Sequence, residues 1–346
     1  MNEVNTIPKK YSNIDGLRTF GCLAIVAWHI KANLNFNMAG LAERVIPSFD
    51  YLVFLFMLIS GFGMCNGYYQ KLKSGQYDLN KFYSKRYCKL LPFFTFLLII
   101  GCMTEFNLQS IYESMMEMTL LFGLLPNNNL HVIGVAWTLG VIFAFYLIFP
   151  FIVFLLHDKK RAILSFLISL CVTFMCQEYF MTDYFVTDGF VMRHSLLYCL
   201  PYFLVGGLIY LFRDDISKII NKYYKVFLVI CLILTVGYFF IPDKINEFDI
   251  TVVKTILLYS TWLCLSLGEK NIVFSNKFTV FISGMSMEIY LAHMVVFRIV
   301  EKLHIPEIVG KTGLGYIVTY IVTLVFLVIG ISLYKIIEKW IAGKFI

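Results

Sequence analysis

Charged residues are scarce in this chain. They make up 15% of its 346 residues, whereas ordinary soluble domains carry about 25%. Hydrophobic residues make up 59%, which excludes a soluble globular protein. Several apolar stretches approach the ~20 residues that a helix needs to cross a bilayer. The composition therefore predicts an all-α protein, a polytopic bundle of transmembrane helices.

The sequence also lacks paired cysteine motifs, internal repeats and proline-rich or glycine-rich linkers. Its nine cysteines are odd in number, form no Cys-x-x-Cys pair and lie mostly in apolar runs, where a thiol packs as a small hydrophobic group. Neither a disulfide framework nor a metal site is predicted. Because we find no linker and no appended soluble domain, we expect residues 1–346 to form a single membrane-embedded domain.

Ten hydrophobic stretches are predicted to be membrane spans. Their approximate limits are 14–34, 49–69, 90–105, 131–156, 162–182, 195–212, 226–242, 250–267, 278–297 and 313–335. Residues 108–125 are amphipathic, and we expect them to lie at the membrane interface.

Basic residues indicate how the spans are oriented. With the N-terminus inside, the loops on that side hold 21 of the 29 Lys and Arg residues, and these loops are 1–18, 70–89, 157–161, 213–225, 268–277 and 335–346. The positive-inside rule therefore predicts that both termini are cytoplasmic. The net charge of +7 reflects these loops, and without an aromatic-basic stripe we expect membrane lipids as partners and no nucleic acid.

Two histidines, His29 and His293, fall inside predicted spans. His29 follows Arg18 by eleven residues, so at ~1.5 Å per residue its imidazole lies ~16 Å from the cytoplasmic end of the span. His293 reaches a similar depth. A polar group in hydrocarbon is costly and usually belongs to a functional site. The alternative is an interhelical hydrogen bond that stabilises the bundle.

Two further motifs lie in the first half of the chain. The second predicted span ends in "LFMLISGFGM", where Ser60 either permits close helix packing or faces a cavity. Arg86 and Lys89 share a helix face just before Pro92, which suits the first turn of the following span. These cations either set topology and contact lipid head groups or bind a ligand.

Trp137 lies near the outer surface, as an aromatic belt would require.

The ninth span carries polar residues in a regular pattern. Ser286, Tyr290 and His293 recur at helical spacing and line one stripe, whereas Glu288 points away from His293. A glutamate in this setting either belongs to the site or pairs with an arginine of another helix.

Together these motifs resemble the acyltransferase-3 family of integral membrane acyltransferases. The family opens with Asp-x-x-Arg followed by ten residues and a histidine, a pattern matched by Asp15, Arg18 and His29. Its later patterns are matched by Ser60 with the two residues that follow, by Arg86 and Lys89 before Pro92, and by Ser286, Tyr290 and His293. Lysine at position 89 replaces the second arginine of the family pattern.

One position departs from the family. Many members carry a glutamate five residues after Trp137, where this chain has Ile142. Any role of that carboxylate is absent or moved, and Glu288 is a candidate substitute.

The resemblance implies an enzyme that moves an acyl group, most often acetyl, from cytoplasmic acyl-CoA to a hydroxyl of a cell-surface or lipid-linked glycan. Acyl-CoA is then the donor, and no metal is required. Arg18, Arg86 and Lys89 would hold the phosphates of CoA. His29, at about the reach of the pantetheine arm, would be a general base or an acyl carrier, and Tyr290 and His293 would orient it or bind the carbonyl oxygen.

Two other functions fit parts of the pattern. A proton-coupled transporter or glycan-lipid flippase would use the buried His and Glu residues as a proton relay. Such carriers often show inverted repeats and broken helices in matching halves, which the sequence does not show. In a non-enzymatic scaffold the deep histidines and basic residues would have no purpose. We therefore expect an acyltransferase of the bacterial cytoplasmic membrane, whose acceptor, acyl length and oligomeric state the sequence leaves open.

Overall fold

A computed structural model describes residues 9–75, 77–104, 106–124, 132–182, 184, 186, 190–245 and 248–345. It is 82% helical, which confirms the all-α prediction. The helices in chain order are α1 (Ile14–Asn33), α2 (Leu41–Val45), α3 (Val53–Lys73), α4 (Leu79–Thr104), α5 (Leu108–Met118), α6 (Trp137–Leu155), α7 (Lys159–Met175), α8 (Leu196–Lys222), α9 (Tyr224–Phe240), α10 (Thr251–Ser266), α11 (Lys277–Ser283), α12 (Ser286–Lys302), α13 (Ile305–Val309) and α14 (Gly313–Phe345). Two-residue strands, β1 (Lys244–Ile245) and β2 (Phe248–Asp249), pair antiparallel between α9 and α10. Short helical turns cover Ile46–Leu52, Leu121–Leu124, Gly134–Ala136, Cys176–Phe180 and Met192–His194.

Within the described residues, six helical segments are long and apolar enough to cross a membrane. They are Leu41–Lys73, Leu79–Thr104, Gly134–Leu155, Lys159–Phe180, Leu196–Lys222 and Gly313–Ile341. Helices α11 and α12, bent by 69° at their junction, make a seventh if they are counted as one span. Helices α9 and α10 are apolar but have only 17 and 16 residues. Each predicted span overlaps a helix. The count of ten membrane spans and the cytoplasmic location of both termini stay predictions.

Some predicted boundaries are wrong, because helices continue beyond their apolar stretches. Residues 70–89, predicted to be a loop, are mostly helix: α3 ends at Lys73 and α4 begins at Leu79. Pro92 consequently lies inside α4 and not in its first turn. The first part of α4 is polar on the outside but buries Phe82, so an amphipathic turn was mistaken for a loop.

Contacts between Cα atoms divide the chain into two compact units. One contains the residues up to Leu17 together with Val53–Ser275, and the other contains Arg18–Leu52 and the chain from Asn276 onward. The expectation of a single membrane domain over 1–346 stays a prediction.

In the first unit, α3 and α8 pack with their backbones in contact. A Cβ atom on Gly61 would lie 2.1 Å from the carbonyl oxygen of Phe203, and one on Gly206 would lie 2.1 Å from that of Leu58. Only glycine permits this approach, so the motif around the half-buried Ser60 serves close helix packing at Gly61.

In the second unit, α14 holds both α1 and α12. The hydroxyl of Tyr316 donates to the carbonyl oxygen of Ala27 over 2.8 Å, and that of Tyr320 donates to Leu23 over 3.2 Å. Lys335 of α14 donates to the carbonyl oxygen of Gly284, at the break between α11 and α12. These bonds fix the two helices that carry the intramembrane histidines.

Candidate active site

The two histidines predicted to lie inside spans meet in the second unit. The ring centroids of His29 on α1 and His293 on α12 are 4.6 Å apart, and the rings meet edge to face at 62°. His293 is buried, with 1% of its surface exposed, whereas His29 is half-buried. Two imidazoles in contact within an apolar bundle are an arrangement that packing alone does not require.

Hydrogen bonds to the backbone define the tautomer of each ring. Nδ1 of His29 lies 3.0 Å from the carbonyl oxygen of Ile25, and Nδ1 of His293 lies 2.5 Å from that of Tyr290. A carbonyl oxygen only accepts, so each Nδ1 carries a proton and donates. In each neutral ring Nε2 is then the acceptor nitrogen. Nε2 of His293 is buried and finds no hydrogen-bond partner within the described chain.

The other polar residues of α12 contact either His293 or neighbouring helices. The ring of Tyr290 lies 5.8 Å from that of His293. The hydroxyl of Ser286 donates to the carbonyl oxygen of Ser283 over 3.0 Å, which ties the start of α12 to α11. Glu288 pairs with Lys335 of α14 at 3.0 Å, so its partner on another helix is a lysine and not an arginine.

Arg86 lies in an aromatic surround in the first unit. Its guanidinium carbon is 4.7 Å from the ring centroid of Tyr68 and 5.6 Å from that of Tyr146, and one of its nitrogens donates to the Tyr68 hydroxyl. Its Nε is buried and has no hydrogen-bond partner among the described residues. Lys89, one turn further along α4, is exposed. A guanidinium with a vacant donor is suited to a phosphate oxygen.

Trp137 has two basic neighbours that sequence reasoning missed. Its ring stacks on His194 with the centroids 4.2 Å apart and the planes at 19°, and the guanidinium of Arg193 lies 5.6 Å from the ring. The sequence signal is the Arg-His pair at 193–194, just before α8.

The remaining positions singled out in the sequence lie on α1 and α6. Asp15 and Arg18, both half-buried, lie three residues apart near the start of α1. Ile142 is a half-buried residue of α6, so the chain has no carboxylate at that position.

A buried carboxylate that sequence reasoning missed lies on α5. Glu117 is fully buried and accepts hydrogen bonds from the backbone N–H groups of Val132 and Ile133. Burial raises its pKa to about 7, although these two bonds oppose the shift. Helix α5 is outside the candidate membrane spans. Glu117 lies on the polar face of α5 beside Ser114, and the opposite, apolar face is the exposed one, so the hydrophobic pattern does not mark this acid as buried.

The fold and the histidine pair define a helical membrane protein with a polar site in its interior. A family model described as an acyltransferase domain matches residues 11–334, nearly the whole chain. The chain therefore belongs to the acyltransferase-3 family, which confirms the resemblance and makes the protein a membrane acyltransferase in its general class. No curated protein and no solved structure matches the chain.

Proposed function

We propose that the protein transfers an acyl group, in the first place acetyl, from cytoplasmic acyl-CoA to a hydroxyl of a cell-surface or lipid-linked glycan in the bacterial cytoplasmic membrane. Family membership supports acyl transfer. The choice of donor and acceptor rests on the resemblance together with the residues that could bind and activate them.

The observation that carries the proposal is the histidine pair. A hydroxyl must lose its proton as it attacks a thioester carbonyl, and a neutral imidazole whose Nε2 carries no hydrogen is suited to accept that proton. His29 has this tautomer because Nδ1 donates to Ile25. His29 is half-buried and lies beside the fully buried His293. His29 acts as the general base or, alternatively, as the acyl carrier.

The donor side of the proposal uses the basic residues. Arg86 offers the buried Nε to a phosphate oxygen of CoA, and Lys89 adds a cation on the next turn. Arg18 and His29 lie on the same helix eleven residues apart, so at 1.5 Å per residue about 16 Å separates them along its axis. An extended pantetheine arm covers that length.

The test is acyl transfer by a His29→Asn variant. The asparagine amide keeps an N–H donor near the position of Nδ1 but has no nitrogen that can act as base at Nε2. Membranes that contain the wild-type protein should transfer radiolabelled acetyl from acetyl-CoA to endogenous glycan, and the variant should be ~10²-fold slower or worse. Its amount and thermal midpoint should match those of wild type.

The control is His304→Asn, because the His304 side chain is 76% exposed and should be dispensable. A His29→Asn protein that acylates glycan at nearly the wild-type rate would remove His29 from the mechanism. Movement of an unmodified solute without any acylation would instead support a carrier.

A further inference from the structure

The tautomer of His293 limits what this residue can do. Because Nδ1 donates to Tyr290, the neutral ring carries no hydrogen on Nε2 and cannot donate to a carbonyl oxygen. In this tautomer His293 serves as an acceptor of hydrogen bonds and protons.

The pair thus holds two acceptor nitrogens on adjoining rings. A direct transfer from thioester to hydroxyl needs one base only. A second imidazole with an accepting nitrogen, fully buried and without a partner in the described chain, would be costly if it had no substrate to bind. A group with an O–H donor would satisfy Nε2 of His293.

We propose that acyl transfer is a double displacement and that each histidine serves one of its two steps. This inference rests on the proposed function. His29 takes the acyl group from acyl-CoA, and His293 is the base that takes the proton of the acceptor hydroxyl.

In the first step, the lone pair on Nε2 of His29 attacks the thioester carbon. The C–S bond breaks, CoA leaves as the thiolate, and the acylated imidazole keeps its Nδ1 proton and a positive charge. In the second step, the acceptor oxygen attacks the same carbon while its proton passes to Nε2 of His293. The C–N bond breaks and returns a neutral His29, and His293 then gives its proton to the CoA thiolate or to solvent.

This division agrees with the short distance between the rings. Two cationic imidazoles 4.6 Å apart in an apolar surround would repel each other strongly. In the proposed sequence one ring at a time is charged, since the C–N electrons return to His29 and neutralise it as His293 accepts the proton. The contact between the rings is then compatible with every step.

The first step can be measured without knowing the acceptor. Purified full-length protein in lipid nanodiscs is incubated with acetyl-CoA and deuterium-labelled CoA, and mass spectrometry follows the appearance of label in acetyl-CoA. Wild type should catalyse this exchange because acylation of His29 is reversible. The His29→Asn variant should lose it by ~10²-fold or more.

The second step is tested with a His293→Asn variant. Asparagine can still donate to the carbonyl oxygen of Tyr290, so the start of α12 should keep its conformation. The exchange of CoA should stay within about 3-fold of wild type, while acetyl transfer to glycan in membranes should fall by ~10²-fold or more. Mass spectrometry should then find acetyl on His29, and His304→Asn should leave both rates unchanged.

Each result decides the matter. Wild-type protein that acylates glycan but exchanges no CoA would overturn the double displacement without touching the proposed function. A His293→Asn protein with full transfer, or one that loses exchange and transfer together at a normal thermal midpoint, would overturn the role of His293. Wild-type membranes that transfer no acetyl at all would refute the proposed function itself.

Discussion

At the scale of single residues, two buried polar groups stand out in the described chain. His293 and Arg86 each keep a buried nitrogen without a hydrogen-bond partner in the described chain. One is an acceptor and the other a donor, so each is suited to a different kind of ligand group. Such atoms lower stability unless a ligand satisfies them, and this is why they are informative about function.

Glu117 predicts a pH dependence of stability at the same scale. Its pKa is about 7 in the folded protein and near its ordinary value of 4.5 when unfolded, so the folded state binds the proton more tightly. The contribution is therefore fully present below pH 4.5 and is lost as the pH rises to about 7. The loss is roughly 3 kcal/mol. The measurement is the thermal midpoint in detergent at pH 5 and at pH 8.

The comparison that isolates this effect is Glu117→Gln, which cannot titrate and should show a smaller fall of the midpoint than wild type. Glu301→Gln, at an exposed position of α12, serves as the control and should behave like wild type. Parallel falls in wild type and Glu117→Gln would contradict the assignment.

At the scale of helices, each of the two units is held together by its own kind of contact. Close packing of α3 and α8 depends on glycines, and the bent junction of α11 and α12 depends on Lys335, which contacts both Gly284 and Glu288. In an apolar surround helices gain little from hydrophobic burial, so small residues and interhelical polar contacts have to supply the specificity.

A Gly61→Ala change tests the packing of α3 on α8. The new methyl group would lie 2.1 Å from the carbonyl oxygen of Phe203, so the helices must separate. We expect a loss of about 1–3 kcal/mol, seen as a lower thermal midpoint.

Gly67→Ala is the matched control on the same helix, because nothing lies within 4 Å of the position that its Cβ would take. Removal of a helical glycine should raise stability there by up to about 1 kcal/mol. Equal effects at both positions would show that helix propensity, and not contact with α8, governs Gly61.

At the scale of the whole molecule, the charge bias predicts which parts face the cytoplasm. Ser74, between α3 and α4, should be inside, and Gln109 on α5 should be outside. In a background without the exposed Cys88 and Cys171, Ser74→Cys should resist a membrane-impermeant thiol reagent on intact cells, whereas Gln109→Cys should react. The reverse labelling pattern would show that the topology is opposite to the predicted one.

Much of the molecule could be predicted from the sequence because the signals are local. Apolar stretches of sufficient length predict helices, and each predicted span overlaps one. The order of short motifs indicated the family that the comparison confirmed. Helix ends were less predictable, since the amphipathic start of α4 buries Phe82 on one face only and has no continuous apolar run.

By itself, the sequence determined the helical membrane class through its composition and the two candidate histidines through their spacing along single helices, and its motifs resembled those of the acyltransferase-3 family. Only the tertiary structure decided that the histidines touch, that Glu288 is engaged by Lys335 and that Trp137 stacks on His194. The physical reason is that helical periodicity fixes which residues share a face of one helix. Which face meets which is set by side-chain packing between segments far apart in the chain.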